Sequence, residues 1–185
     1  DMALLQEALA EEAVLRIGTA RSRGLGRCTI QQFDESPDLP PIESRIGAFN
    51  DGWRASCESQ GHAPSGEATL ISVTLDTPAV FVDAFLRPNL APGGADLLQE
   101  AGADEASHAD ALETLTAVHQ IARSTTVHGW NGLAQFPHAA MQGLQAGSVL
   151  VFEAAEMTDD LLGALRHLEA QGMGLRRHFG FGQVR

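Results

Sequence analysis

The chain contains no lysine. All 12 basic residues are arginine, set against 24 acidic ones, and the 185 residues carry a formal charge of -12. A protein that coats nucleic acid by bulk electrostatics presents a basic field over one face, and this balance excludes that mode; any contact with nucleic acid has to be local. Cysteine is almost as scarce. Cys28 and Cys57 are too few for a disulfide framework or a cysteine zinc site and read as reduced thiols of a cytosolic protein. No apolar run reaches the length of about eighteen residues that suggests a membrane span. The acidic opening from Asp1 to Glu12 lacks the basic flank and apolar stretch of a secretory signal. None of the 7 histidines stands in a metal-binding spacing such as His-Glu-x-x-His, so neither a metal nor a cofactor is expected. What remains is 44% hydrophobic, enough for a real core in one domain or two small ones.

Against this background one pattern stands out because it occurs twice. The chain ends Gly172-Met-Gly-Leu-Arg-Arg-His-Phe-Gly-Phe-Gly-Gln-Val-Arg185. Setting Gly180 and Gly182 on Gly24 and Gly26 also brings Gly174 onto Gly18 and Arg177 onto Arg21, so both copies read Gly-x-x-Arg-x-x-Gly-x-Gly. Upstream, Leu161, Ala164 and Leu165 fall on Leu5, Ala8 and Leu9. The repeated unit is a helix followed by an arginine-bearing glycine loop.

Leu161, Leu162, Leu165 and Leu168 recur at helical spacing behind Thr158, an N-cap with two aspartates after it, and Gly172 stands at the C-terminal cap position. This predicts a helix over 159–171. Past the helix, closely spaced glycines permit positive φ and leave backbone N–H groups bare, while arginine forks pair with phosphate oxygens. Such a loop can hold a nucleic-acid backbone. The plainer reading, glycines making a tight turn before an edge strand with solvated arginines, is the better one for a single short motif. Two copies behind similar helices reverse the preference. Half of the arginines cluster in these units: Arg16, Arg21, Arg23, Arg27, Arg176 and Arg177.

Taken in order, the chain predicts a helix over Met2–Val14, a glycine loop over Leu15–Arg27 and a strand over Leu25–Phe33. These elements cannot bury themselves alone and read as the tail of a first domain, residues 1–33, whose beginning is expected outside this sequence or supplied by another chain. Residues 34–66, with Pro37, Pro40, Pro41 and Pro64, read as a linker holding a helix at about 43–59 with Ile46, Phe49 and Trp53 on one side. Trp53 is expected in a core or interface. A second domain follows over 67–185. It has strand character from Ala68 to Asp83, an exposed loop with a helical patch over 88–107, and an alanine-rich segment at 108–122 that either continues as a helix or becomes a strand toward its end. Then come a strand over Thr125–Trp130, a short helical turn over His138–Gly143 and an apolar strand over Gly147–Glu153, before the closing helix and loop. The order is that of an α+β, ferredoxin-like (RRM-like) domain.

A helix, a glycine-rich arginine loop and the last strand of such a domain, occurring twice, resemble the RAMP superfamily that forms the RNA-binding backbone of CRISPR effector complexes. The pieces Val127-His-Gly-Trp-Asn131, Ala146-Gly-Ser-Val-Leu-Val-Phe152 and the terminal glycine loop are similar to the C-terminal half of the large two-domain RAMP subunit of type III-D systems. The resemblance covers 125–185 and, less closely, 15–30. It implies a cytoplasmic, non-catalytic subunit that holds the five-prime handle of a guide RNA and packs against other RAMP subunits, with no membrane contact. Its RNA-binding positions are Gly172, Gly174, Arg176, Arg177, Gly180 and Gly182 in one loop, and Gly18, Arg21, Arg23, Gly24, Gly26 and Arg27 in the other.

Two alternatives stand beside it. Some relatives of this kind cut precursor guide RNA with a histidine, and His119, His128, His138 and His178 are candidates, although none has an evident paired base. His128 is expected buried and hydrogen-bonded within a strand, and His138, beside Pro137, exposed. The other alternative is a protein-assembly module with no RNA contact, which the acid surface supports. A dinucleotide or P-loop site is disfavoured because each glycine loop here follows a helix instead of opening one.

Overall fold

The computed structural model describes residues 15–16, 27–28, 39–62, 68–99, 105–131 and 135–185. The chain divides into two compact units, Asp1–Leu39 and Pro40–Arg185. In the first, β1 (Leu15–Arg16) pairs antiparallel with β2 (Arg27–Cys28), Leu15 opposite Cys28 and Arg16 opposite Arg27. The helix expected over Met2–Val14 lies outside the described residues, as do Gly18, Arg21, Arg23, Gly24 and Gly26.

The second unit is α+β. Its first element, α1 (Ile42–Ser59), is the helix expected in a linker, and it packs on the sheet. Pro41 precedes it with φ -48°, a fixed extended start that cannot continue a helix backwards. Strand β3 (Thr69–Thr74) follows, then α2 (Ala106–Glu113), β4 (Thr116–Ile121), β5 (Ser124–Val127), β6 (Trp130–Asn131), β7 (Phe136–Pro137), β8 (Met141–Leu144), β9 (Val149–Ala154) and α3 (Asp159–Gln171). The main sheet runs β3-β9-β4 with β9 antiparallel to both neighbours. The last residues add to the free edge of β3: Val184 bridges Leu75, and Thr74 and Arg185 exchange N–H···O bonds of 2.9 and 3.0 Å.

The period of two decides which face is the core. Ile71, Val73 and Leu75 of the β3 side and Leu150, Phe152 and Ala154 of β9 are buried with Leu112 of α2 and Leu161, Ala164, Leu165 and Leu168 of α3. Each large side chain of this set contributes about 1.5–3 kcal/mol by leaving water. The alternate residues, Leu70, Val151 and Glu153 among them, point to the opposite face. Asn50, buried on α1, substitutes for a missing strand: its amide donates to Leu70 O (2.8 Å) and accepts from Leu70 N–H (2.9 Å) at the β3 edge.

Two expectations are corrected. Residues 138–143 do not form a helical turn. Met141–Leu144 is β8, paired with β5 so that Ser124 faces Leu144, and β6 and β7 extend the same hairpin outward. The reason is Gly143, where a Cβ would overlap the Ala79 carbonyl, so glycine here allows close approach of backbones and does not end a helix. The segment over 88–107 is not simply exposed, since Pro92, Gly94, Leu97 and Leu98 are buried around a 3-10 turn at Gly94–Asp96. Trp53, expected in a core or interface, lies outside the core at 50% exposed.

Candidate nucleic-acid interface

Helix α3 arises from local signals. Thr158 Oγ1 accepts Leu161 N–H at 3.1 Å, Asp159 and Asp160 sit at the positive end of the helix dipole, and Gly172, at φ 77°, ends the helix. From there the chain has to turn back to the edge of β3 within a few residues, which sets the shape of the glycine loop.

The base of the loop is packed into the unit. Gly172, Met173, Gly174 and Gly182 are buried. Gly174 adopts φ 74°, and a Cβ on it would stand 2.5 Å from Val80 O; at Gly182, φ 73°, a Cβ would overlap the Met173 carbonyl. Both demand glycine twice over, through positive φ and through space. The glycine amides expected to be bare are occupied. Gly172 N–H donates to Leu168 O (2.8 Å), Gly174 to Leu97 O (2.8 Å), Gly180 to Arg177 O (2.8 Å) and Gly182 to Pro78 O (2.9 Å). That expectation is corrected for a physical reason: buried N–H groups have to be paired, and the loop lies against the 78–80 and 97 backbone.

The arginines also part company. Arg177, expected to fork a phosphate, forks Glu105 instead, with Nη1 to Oε1 at 3.0 Å and Nη2 to Oε2 at 3.1 Å, and its side chain is only 16% exposed. Glu105 Oε1 also meets His167 Nε2 at 2.7 Å, and the His167 ring stacks on His108 at 4.8 Å. This cluster ties the loop to α3 and to the residues before α2. Arg176 is half-buried and holds φ 60°, a left-handed conformation that costs about 1–2 kcal/mol for a residue with a Cβ.

Only the tip is presented to solvent. A 3-10 turn at Arg177–Phe179 leaves His178 and Gly180 exposed and Phe179 58% exposed. The His178 and Phe179 rings lie 4.2 Å apart, and His138 approaches Phe179 at 6.0 Å. The structure thus brings together two of the four candidate histidines around one phenylalanine. The other two stand apart: His119 is exposed on β4, and His128, expected buried, is exposed just after β5 because the strand ends at Val127. His138, expected exposed, is half-buried. In the sequence, Phe179 is marked only by the difference between the copies, His178 and Phe179 standing where the first has Ser22 and Arg23.

The alignment that sets Gly18 on Gly174 carries Arg27 onto Gln183, but it carries Leu15, in β1, onto Gln171, the last residue of α3, so the two copies differ in the segment before the loop. Arg27 lies on β2.

Among the described residues no cluster of three or more His, Cys, Asp or Glu could hold a metal ion, and no helix is long and apolar enough to cross a membrane. No protein-family model and no curated protein matches this chain.

Proposed function

We propose that the chain is a non-catalytic, RNA-holding subunit of a type III CRISPR ribonucleoprotein of the RAMP kind. In this reading it grips the five-prime handle of a guide RNA with the tip of its glycine loop. The observation that carries the reading is the tip itself: a loop whose base is packed and whose arginine is anchored, yet which holds His178 and Phe179 as an adjacent ring pair in water. A Phe–His pair offers flat faces on which unpaired bases stack. The strand order of the second unit supports a ferredoxin-like fold, since the C-terminal edge segment, β3, β9 and β4 run antiparallel in that sequence with both α2 and α3 on one face. The repeated Gly-x-x-Arg-x-x-Gly-x-Gly sequence supports a duplicated domain of the same kind.

The occupied glycine amides and the Arg177–Glu105 pair favour a second reading, in which the loop is a packing device and the chain assembles proteins without touching RNA. One experiment separates the two. The chain is co-expressed with a CRISPR array and neighbouring effector genes, the assembly is purified, and its RNA is sequenced. With His178→Ala and Phe179→Ala combined, the RNA-holding reading expects a defined five-prime handle in the parent and its loss in a variant that still assembles. Retention of the guide by the variant would leave the assembly reading standing. Because phosphate and stacking contacts position without specifying, the loss should be uniform across guide sequences.

A further inference from the structure

A turn and a cavity in the second unit complement each other. The turn runs from Asp83 to Arg87. Asp83 Oδ1 accepts the N–H groups of Phe85 and Arg87, each at 2.9 Å, and Oδ2 accepts Arg87 Nε at 2.7 Å. The backbone closes it as well: Asp83 N–H donates to Arg87 O, and Leu86 N–H to Asp83 O, both at 2.9 Å. So braced, the turn holds Leu86 at φ 60° and lifts Phe85 and Leu86 into water, 77% and 81% exposed. Arg87 lies over the Phe85 ring, 5.1 Å from its centroid. Strain and rigidity spent on displaying two large apolar side chains mark a recognition element, because an idle surface turn would shed both.

The cavity, of about 330 Å³, opens between α1 and the sheet face that α2 and α3 leave uncovered. Phe49, Trp53, Leu70, Val118 and Val151 line it, and its wall also carries Glu153, His119 and Arg54, the last paired with Asp51 at 3.5 Å. Glu153 is exposed and has no ion-pair partner among the described residues. The chemistry of the two features matches. An apolar hollow with half-exposed Trp53 suits a phenylalanine and a leucine, and, with Arg54 already paired to Asp51, the unpaired Glu153 carboxylate suits an arginine. Arg87 Nη1 is not engaged by Asp83, so a donor remains for that carboxylate.

We propose that the Phe85–Leu86 turn of one copy of this chain seats in the Trp53 cavity of the next, with Arg87 against Glu153, so that the chain associates head to tail. The two surfaces share no residue. Each bound copy leaves one turn and one cavity open, and the contact is heterologous and extendable. With -12 on every copy, self-association works against net repulsion, and screening by salt strengthens it. None of this depends on the RNA reading.

The test is sedimentation of the full chain across a concentration series, at low and moderate salt, without RNA. The parent should pass from monomer to higher species as concentration rises, more readily in moderate salt. Phe85→Asp removes the turn's anchor and Val118→Trp fills the cavity; both positions are exposed, so circular dichroism should show an unchanged fold. Each variant alone should associate at least tenfold more weakly. An equimolar mixture of the two has one intact turn and one intact cavity, and should stop at a one-to-one dimer. Arg87→Glu with Glu153→Arg in the same chain should associate better than either single reversal. A parent that stays monomeric at every concentration, variants that associate like the parent, or a mixture that remains monomeric would each overturn the proposal.

Discussion

Two solvent-facing turns of the second unit are built from similar parts and used differently. The turn at Asp83–Arg87 and the tip at Arg176–Gly180 each contain a non-glycine residue at φ 60°, an exposed phenylalanine and an arginine. In the first, Arg87 folds back on Asp83, so the turn is braced from within and rises free of the body. In the second, Arg177 reaches outward to Glu105 and the glycines behind it interlock with neighbouring backbone, so the tip is braced by the body. The difference teaches where to look for function. The glycines of the terminal loop serve packing, and only the few residues that the bracing leaves in water stand open to a partner.

Breaking the bracing of the loop should have the largest effect. Gly182→Ala places a Cβ against the Met173 carbonyl at positive φ, and should cost about 4 kcal/mol or unfold the unit, as read by chemical denaturation. Gly180→Ala, at φ 82° but with open space around it, isolates the conformational part and should cost only about 1–2 kcal/mol. Similar losses for the two would mean that packing against Met173 contributes little.

Next in size is Glu105→Ala, which strands Arg177 in a site where both side chains are less than one-fifth exposed and removes the partner of His167. A loss of about 2 kcal/mol is expected, below the full cost of a deeply buried pair because water still reaches it. The comparable change at the other turn, Asp83→Asn, should leave global stability almost unmoved. It should instead loosen the Phe85 and Leu86 display, seen as weaker head-to-tail association. Asn50→Leu should cost about 1–3 kcal/mol, because it leaves Leu70 N–H and C=O unpaired at the β3 edge.

A smaller effect of opposite sign is expected for Leu86→Gly. It relieves the left-handed strain without giving up buried surface, and should raise stability by about 0.5 kcal/mol while weakening association. The smallest effect concerns pH. The Arg87 side chain, then its backbone N–H, holds the Asp83 carboxyl below its ordinary value of 3.8. A depressed folded value means that the turn is fully held above the unfolded value and is released as pH falls through the folded one. Amide-proton chemical shifts of Phe85 and Arg87 should therefore stay constant from neutral pH down to about 4 and change only below it.

Much of the second unit was legible because its signals are local. The bounds of α3, its Thr158 cap and its Gly172 stop follow from hydrogen bonds and φ preferences spanning four residues, and the structure has them where the sequence places them. Strand β9 is an apolar run that no helix period fits, and it was legible for that reason. Strand β8 was not, because Met141-Gln-Gly-Leu144 has no alternation to read and becomes a strand only when β5 and Ala79 supply its partners. The same limit governed the candidate interface. Gly-x-x-Arg-x-x-Gly-x-Gly announces a loop after a helix, but not what lies beside it.

By itself, then, the sequence determined the closing helix, the turn that follows it and the mixed α+β character of the second unit, since propensity, capping and positive φ act between near neighbours. Tertiary structure alone decided that Arg177 would be anchored to Glu105, that the glycine amides would be consumed and that Phe179 and Phe85 would stand in water. Each of those outcomes depends on a partner distant in sequence or on the burial of a whole face, and pairing and burial are properties of the packed molecule.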